Sequence, residues 1–136
     1  MDQRLNFVTL IVADLAAARR FYIEGLGWSP SLEAAGEVAM IRVGEALVLS
    51  LWAEEHAVEE IGPVSRSGTL PFTLAYNTAS PAEVEDVLAT ARAAGASVQP
   101  ARHRDWGGYS GYFTDPDGFR WEVAHNPHPI GDLRLP

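Results

Sequence analysis

The chain of 136 residues contains no cysteine and no lysine. Without cysteine there is no disulfide framework, no thiolate nucleophile and no Cys-ligated zinc site. Without lysine, the ten basic residues are all arginines, scattered along a chain with eighteen acidic residues and a net charge of −8. That balance argues against a nucleic-acid partner, because such binding needs clustered cations that neutralise phosphates. An acidic surface either favours a cationic ligand or keeps the protein soluble. No apolar run approaches the roughly 18 residues that span a bilayer. The opening MDQRLNFVTLIV lacks the basic flank and small-residue cleavage site of a secretory signal. A cytoplasmic protein with no membrane partner is expected. Also missing are a Ser-His-Asp spacing or nucleophile elbow for covalent catalysis, and a Gly-rich strand-to-helix loop for a nucleotide.

What is present is 47% hydrophobic and 21% charged residues, the balance of a folded domain. Asp14 precedes LAAARRFYIEG and is placed to cap a first helix. Leu15, Ala18 and Phe21 or Tyr22 recur at helical spacing, and Gly25 is a stop. Ser80-Pro81-Ala82-Glu83 is a capping box with Pro at the first helical position. Val84, Val87, Leu88 and Ala91 continue from it as one apolar stripe, and Gly95 ends that helix.

Each helix follows a strand-like run, LNFVTLIV (5–12) and LPFTLAYNT (70–78). Three further strand candidates follow each helix. They are GWSPSL, EVAMIRV and ALVLSLW in the first half, and ASVQPAR, YSGYFT and FRWEVAH in the second. The last pair is joined by Asp115-Pro116-Asp117-Gly118, a strong type I turn signal. The pattern is βαβββ twice: a first module at about 5–52, an acidic linker at 53–69, a second module at about 70–126 and a tail at 127–136. The fold class is α+β, a single domain of two tandem modules with curled mixed sheets around a cleft and helices outside. In the tail, Ile130, Leu133 and Leu135 stand among prolines as a possible strap.

The paired layout, the opening VTLIVADLAAARRFYIEGLGW and the closing GYFTDPDGFRWEV resemble the vicinal oxygen chelate superfamily. This group includes glyoxalase I, extradiol dioxygenases and bleomycin-binding proteins. In its metal-dependent members, four inward side chains hold one divalent ion, which polarises substrate oxygens or activates dioxygen. The resemblance puts those positions at Phe7, Ser50, Thr73 (or Phe72, if the strand is one residue out of register) and Glu122. Of these only Glu122 is a competent ligand, so no metal cofactor is expected. His56, His103, His125 and His128 form no cluster by pattern.

The stretch from Trp106 to Val123 is crowded with aromatic residues. Phe119 and Trp121 alternate with Glu122 and read as core under a helix. Trp106, Tyr109 and Tyr112 read either as lining of a cleft or as hairpin packing or a dimer contact. Glu122 reads as a solvated or ion-paired strand residue, or as a group accepting a ligand's hydrogen bond or a proton. Ser50, Thr73 and Asn77 are candidate hydrogen-bonding partners of a ligand. The resemblance implies a metal-independent protein binding a small organic molecule, aromatic or cationic, as a homodimer. The alternative is a lyase, isomerase or dioxygenase with an unconventional metal site or with Glu122 as general base. A third possibility is a partner module using Trp106 and Tyr109 as a protein interface.

Overall fold

The computed structural model describes residues 1–132, and Leu133 and Leu135 of the expected strap lie outside them. The chain divides into two compact units, Met1–Arg66 and Ser67–Pro136. Each contains one βαβββ module and one four-stranded mixed sheet, which is the α+β architecture expected from sequence.

In the first unit, β1 (Phe7–Val12) leads into α1 (Leu15–Arg19), followed by β2 (Leu32–Ala34), β3 (Val38–Arg42) and β4 (Val48–Ala53). The sheet order is β1-β4-β3-β2, with β1 parallel to β4 and the other pairs antiparallel. Asp14 caps α1 as expected, its Oδ1 accepting from the Ala17 N–H at 2.9 Å. The helix then widens into a π-turn over Arg20–Gly25, in which the Leu26 N–H reaches the Phe21 carbonyl. Helical spacing left Phe21 or Tyr22 as the buried residue. The inserted residue lets both go inside, 1% and 0% exposed, in an edge-to-face pair with ring centroids 5.0 Å apart. One sheet face is buried at Leu10, Val12, Leu49, Leu51, Ala39 and Ile41. Strand alternation puts Phe7, Ser50 and Trp52 on the opposite face.

Two expectations need correction in this unit. GWSPSL is not a strand until its last residue, Leu32: the first ladder bond is the Ser31 N–H to the Met40 carbonyl, because Pro30 before it has no N–H to give. The acidic stretch after β4 is not a plain linker but begins with α2 (Glu54–Ile61). Ala53 supplies no side-chain cap, yet Glu54 and Glu55 complement the helix dipole and Gly62 ends it at φ +88°. Arg66 ties this segment back, donating from Nε to Glu54 at 2.8 Å and from Nη2 to the Ile11 carbonyl at 2.9 Å.

In the second unit, β5 (Leu74–Thr78) leads into α3 (Pro81–Ala93), then β6 (Ser97–His103), β7 (Tyr109–Thr114) and β8 (Arg120–His125). The order is β5-β8-β7-β6, with β5 parallel to β8. The Ser80 hydroxyl accepts from the Glu83 N–H, while the Glu83 carboxylate accepts from the Ala79 N–H at 2.8 Å, one residue earlier than a standard capping box. Val84, Leu88 and Ala91 form the buried stripe. They pack on the sheet face carrying Gly111, Phe113, Trp121 and Val123, and Phe113 stacks on Trp121 with planes 10° apart. Pro100 is tolerated because β6 is an edge strand that slips register between Gln99 and Arg102.

The turn between β7 and β8 forms as the sequence indicates. Asp115, 5% exposed, accepts on Oδ1 from the Asp117 and Phe119 N–H groups, and Gly118 takes φ +89°. Phe119 and Trp121 are both buried.

Candidate functional site

In the second sheet, residues directly opposite one another on paired strands share a face. Glu122 pairs with Tyr112 on one side and with Ala75 on the other. Ala124 pairs with Ser110 and with Asn77. All of these lie on the far face, turned away from α3. Tyr112 donates its hydroxyl hydrogen to Glu122 Oε1 at 3.0 Å. Arg104, just past β6, lies over the Tyr112 ring with its guanidinium carbon 5.5 Å from the centroid. Its Nε donates to Ser110 Oγ and its Nη2 to the Ser110 carbonyl, both at 2.9 Å. Ser110 is fully buried, so this double bond fixes the guanidinium plane.

Burial chiefly, and then the hydrogen bond to Glu122, pushes the Tyr112 phenol above its ordinary range. The positive charges of Arg104 and Arg120 pull the other way without cancelling the rise. At neutral pH the group is therefore a phenol that donates to a carboxylate. That carboxylate keeps Oε2 and part of the Oε1 acceptor capacity for another donor.

Tyr109 alternates with Tyr112 and faces the other way. Its hydroxyl donates to Glu85 of α3 at 2.5 Å, which raises its pKa, and its ring meets His103 edge-on at 5.0 Å. Trp106 sits in the turn between β6 and β7, 43% exposed, with its indole across Gly108. A Cβ on Gly108 would overlap that ring, and Gly107 takes φ +92°, which explains the paired glycines. His128 Nε2 donates to the Trp106 carbonyl at 3.0 Å. Thr73 is exposed one residue before β5, and Phe72 meets Phe119 with centroids 6.0 Å apart. In the first unit Phe7 is 51% exposed at the start of β1, and Ser50 is 3% exposed on β4.

The structure thus joins Tyr112 to Glu122 and places Asn77 on the same face of the adjacent strand, opposite Ala124. It turns Tyr109 towards α3 and leaves Trp106 in its own turn. Sequence reasoning missed Arg104 and Ser110. Arg104 lies past the end of β6 and is held over Tyr112 by two bonds to Ser110, a loop contact that periodicity does not carry.

The sequence matches the family model of the Glyoxalase/Bleomycin resistance protein/Dioxygenase superfamily over residues 4–123. The chain belongs to this superfamily. A glyoxalase-related enzyme from Fulvimarina pelagi is similar at 35% identity and TM-score 0.83, over 92% of this chain and 89% of that one. A glyoxalase/bleomycin resistance protein/dioxygenase from Nocardioides is 24% identical at TM-score 0.75, over 100% of this chain and 91% of its own. A lactoylglutathione lyase from Agrobacterium tumefaciens is 23% identical at TM-score 0.70, over 93% and 96%. The last two speak for the fold alone. None of the proteins of curated function matches the chain.

The donor set does not fit the divalent ion of the superfamily's metal-dependent members. Phe7 has no donor atom, Ser50 and Thr73 offer neutral hydroxyls, and the Glu122 carboxylate already holds Tyr112. Among the described residues no group of three His, Asp or Glu is placed to hold a metal. Each histidine has a local neighbour instead: His56 Nε2 is 3.8 Å from Glu55, and His125 Nδ1 is 3.5 Å from the Thr78 carbonyl.

Proposed function

We propose that this protein binds a small organic molecule without a metal, on the far face of its second sheet. The observation that carries the reading is the Tyr112–Glu122 hydrogen bond. It engages the one acid at the family's ligand positions in a phenol–carboxylate pair, braced by Arg104. A prearranged polar group on a rigid sheet holds a ligand's donor at little ordering cost. A net charge of −8 fits either a cationic ligand or plain solubility, and the local charge of this face is mixed, because Arg104 lies over Tyr112 and Arg120 is two residues from Glu122 on the same strand face. The reading includes a homodimer in the cytoplasm, checked by sedimentation at twice the chain mass.

The test is thermal unfolding of metal-stripped protein against a broad panel of aromatic, cationic, anionic and zwitterionic compounds. A ligand at a hundredfold excess over Kd adds about 2.7 kcal/mol of stability, a shift of several degrees. Glu122→Gln should weaken that stabilisation. No stabilisation by any member of the panel refutes the proposal.

An enzymatic reading is favoured by the 35% identical neighbour, a glyoxalase-related enzyme. In it Glu122 accepts a substrate proton and the Tyr112 hydroxyl orients the carboxylate. Glu122→Gln separates the two readings: it abolishes turnover if Glu122 is a base, and changes affinity alone if the face only binds.

A further inference from the structure

The far face of the second sheet has a charge unlike that of the whole chain. Arg102 lies opposite Ser110, Arg104 is bound to Ser110, and Arg120 is two residues from Glu122 on the same strand face. Three of the ten basic residues thus gather on β6 to β8 and their margins, around a single strand carboxylate on that face.

Arg104 and Arg120 are in different states. The Arg104 guanidinium uses Nε and one Nη2 hydrogen on Ser110, leaving its outer N–H edge without a partner among the described residues. Such a fixed fork matches a carboxylate through two parallel hydrogen bonds. Arg120 is partly buried and has no hydrogen-bond or ion-pair partner among the described residues. Arg104 lies over the Tyr112 ring and Arg120 is two residues from Glu122 on the same strand face, so the two stand on either side of the pair. A plain cation would meet two guanidinium groups there, and a plain anion would meet the Glu122 carboxylate.

We infer that this face takes a small zwitterion of the amino-acid class, its carboxylate on Arg120 and its ammonium on the neighbouring Glu122. The inference rests on the binding reading above and narrows it to one ligand class. Tyr112 is a positioning residue here: its hydroxyl occupies Oε1 and leaves Oε2 turned to the ammonium.

The experiment is titration calorimetry of the metal-free, full-length protein with two matched sets. One set is phenylalanine, 3-phenylpropanoate and 2-phenylethylamine; the other is leucine, 4-methylpentanoate and 3-methylbutylamine. At least one amino acid should bind about tenfold or more tighter than both its acid and its amine, the effect of a hydrogen bond to a charged group. Arg120→Gln, which removes no bond within the described chain, should lose the preference over the amine and keep the parent melting temperature. Glu122→Gln should lose the preference over the acid. An acid or amine that binds as tightly as its amino acid overturns the inference, and so does failure of both amino acids to bind. If other panel compounds bind while the amino acids do not, the metal-free binding reading survives alone. If nothing binds, both fall.

Discussion

At Gly111 the second unit's sheet lies close against its helix, and replacing it with alanine tests the packing that holds the site in place. A Cβ built there would lie 2.6 Å from Leu88 Cδ1 of α3, and 2.9 and 3.0 Å from the Ala101 N and Cα of β6. The leucine tip could swing, but Leu88 is 2% exposed in a packed core, where a new rotamer displaces neighbours. The Ala101 atoms are backbone in β6, at its bulge between Gln99 and Arg102, so a strand or the helix must move. Forcing a methyl into a closed contact of this kind costs about 1–3 kcal/mol. For a chain of this length one kcal/mol moves the midpoint by roughly 3–5 °C, so Gly111→Ala should lower Tm by about 3–15 °C. Gly44→Ala is the control, because its nearest non-neighbour atom is Leu47 Cβ at 3.4 Å, an ordinary contact. It should shift Tm by less than about 2 °C. Circular dichroism melts of the two variants are the assay. Ser110 and Tyr112 flank Gly111, so ligand affinity should fall in Gly111→Ala as well. Equal melting temperatures for both variants would refute the close approach of α3 to β7.

In an alkaline absorbance titration, Tyr112→Phe should remove a phenol that ionises above pH 10, since burial and Glu122 raise it. The sign follows: the folded state favours the neutral phenol, so that stabilisation is whole below pH 10 and fades as pH rises through the folded value. Asp115→Ala strips the acceptor from two N–H groups in the β7–β8 turn, one of them buried, and should cost about 1–3 kcal/mol by urea denaturation. On the acid side, the Arg19 guanidinium holds the Glu33 carboxyl below its usual range through paired hydrogen bonds at 2.5 and 3.1 Å. That contribution is present above the ordinary Glu value and fades as pH falls through the lowered one. Arg19→Met should make an acid-unfolding curve less steep there.

Much of the fold was legible because short-range chemistry specifies it. Asp14 and Ser80 cap where they were placed, and the Asp115–Gly118 turn forms through its own side chain and glycine. Segment α2 was not legible: only Ala57 of its eight residues is buried, so it shows little apolar stripe, and its N-terminus has no capping side chain. The π-turn escaped because regular helical spacing buries Phe21 or Tyr22 but not both. For the candidate site, alternation along β8 was enough to separate Glu122 from Trp121. It was not enough to find Arg104, which lies past the end of β6 and is held over Tyr112 through Ser110. Net charge says nothing of this face for a related reason: a sum over the chain hides the arginines that one sheet face collects.

The most direct measurement is metal content per chain by plasma mass spectrometry. The protein should be untagged and purified without chelators, from cells grown with added Zn, Mn, Fe, Ni and Co. The account expects a stoichiometry near zero, because Phe7, Ser50, Thr73 and a Glu122 already bonded to Tyr112 are not a ligand set. A stoichiometry near one would contradict it.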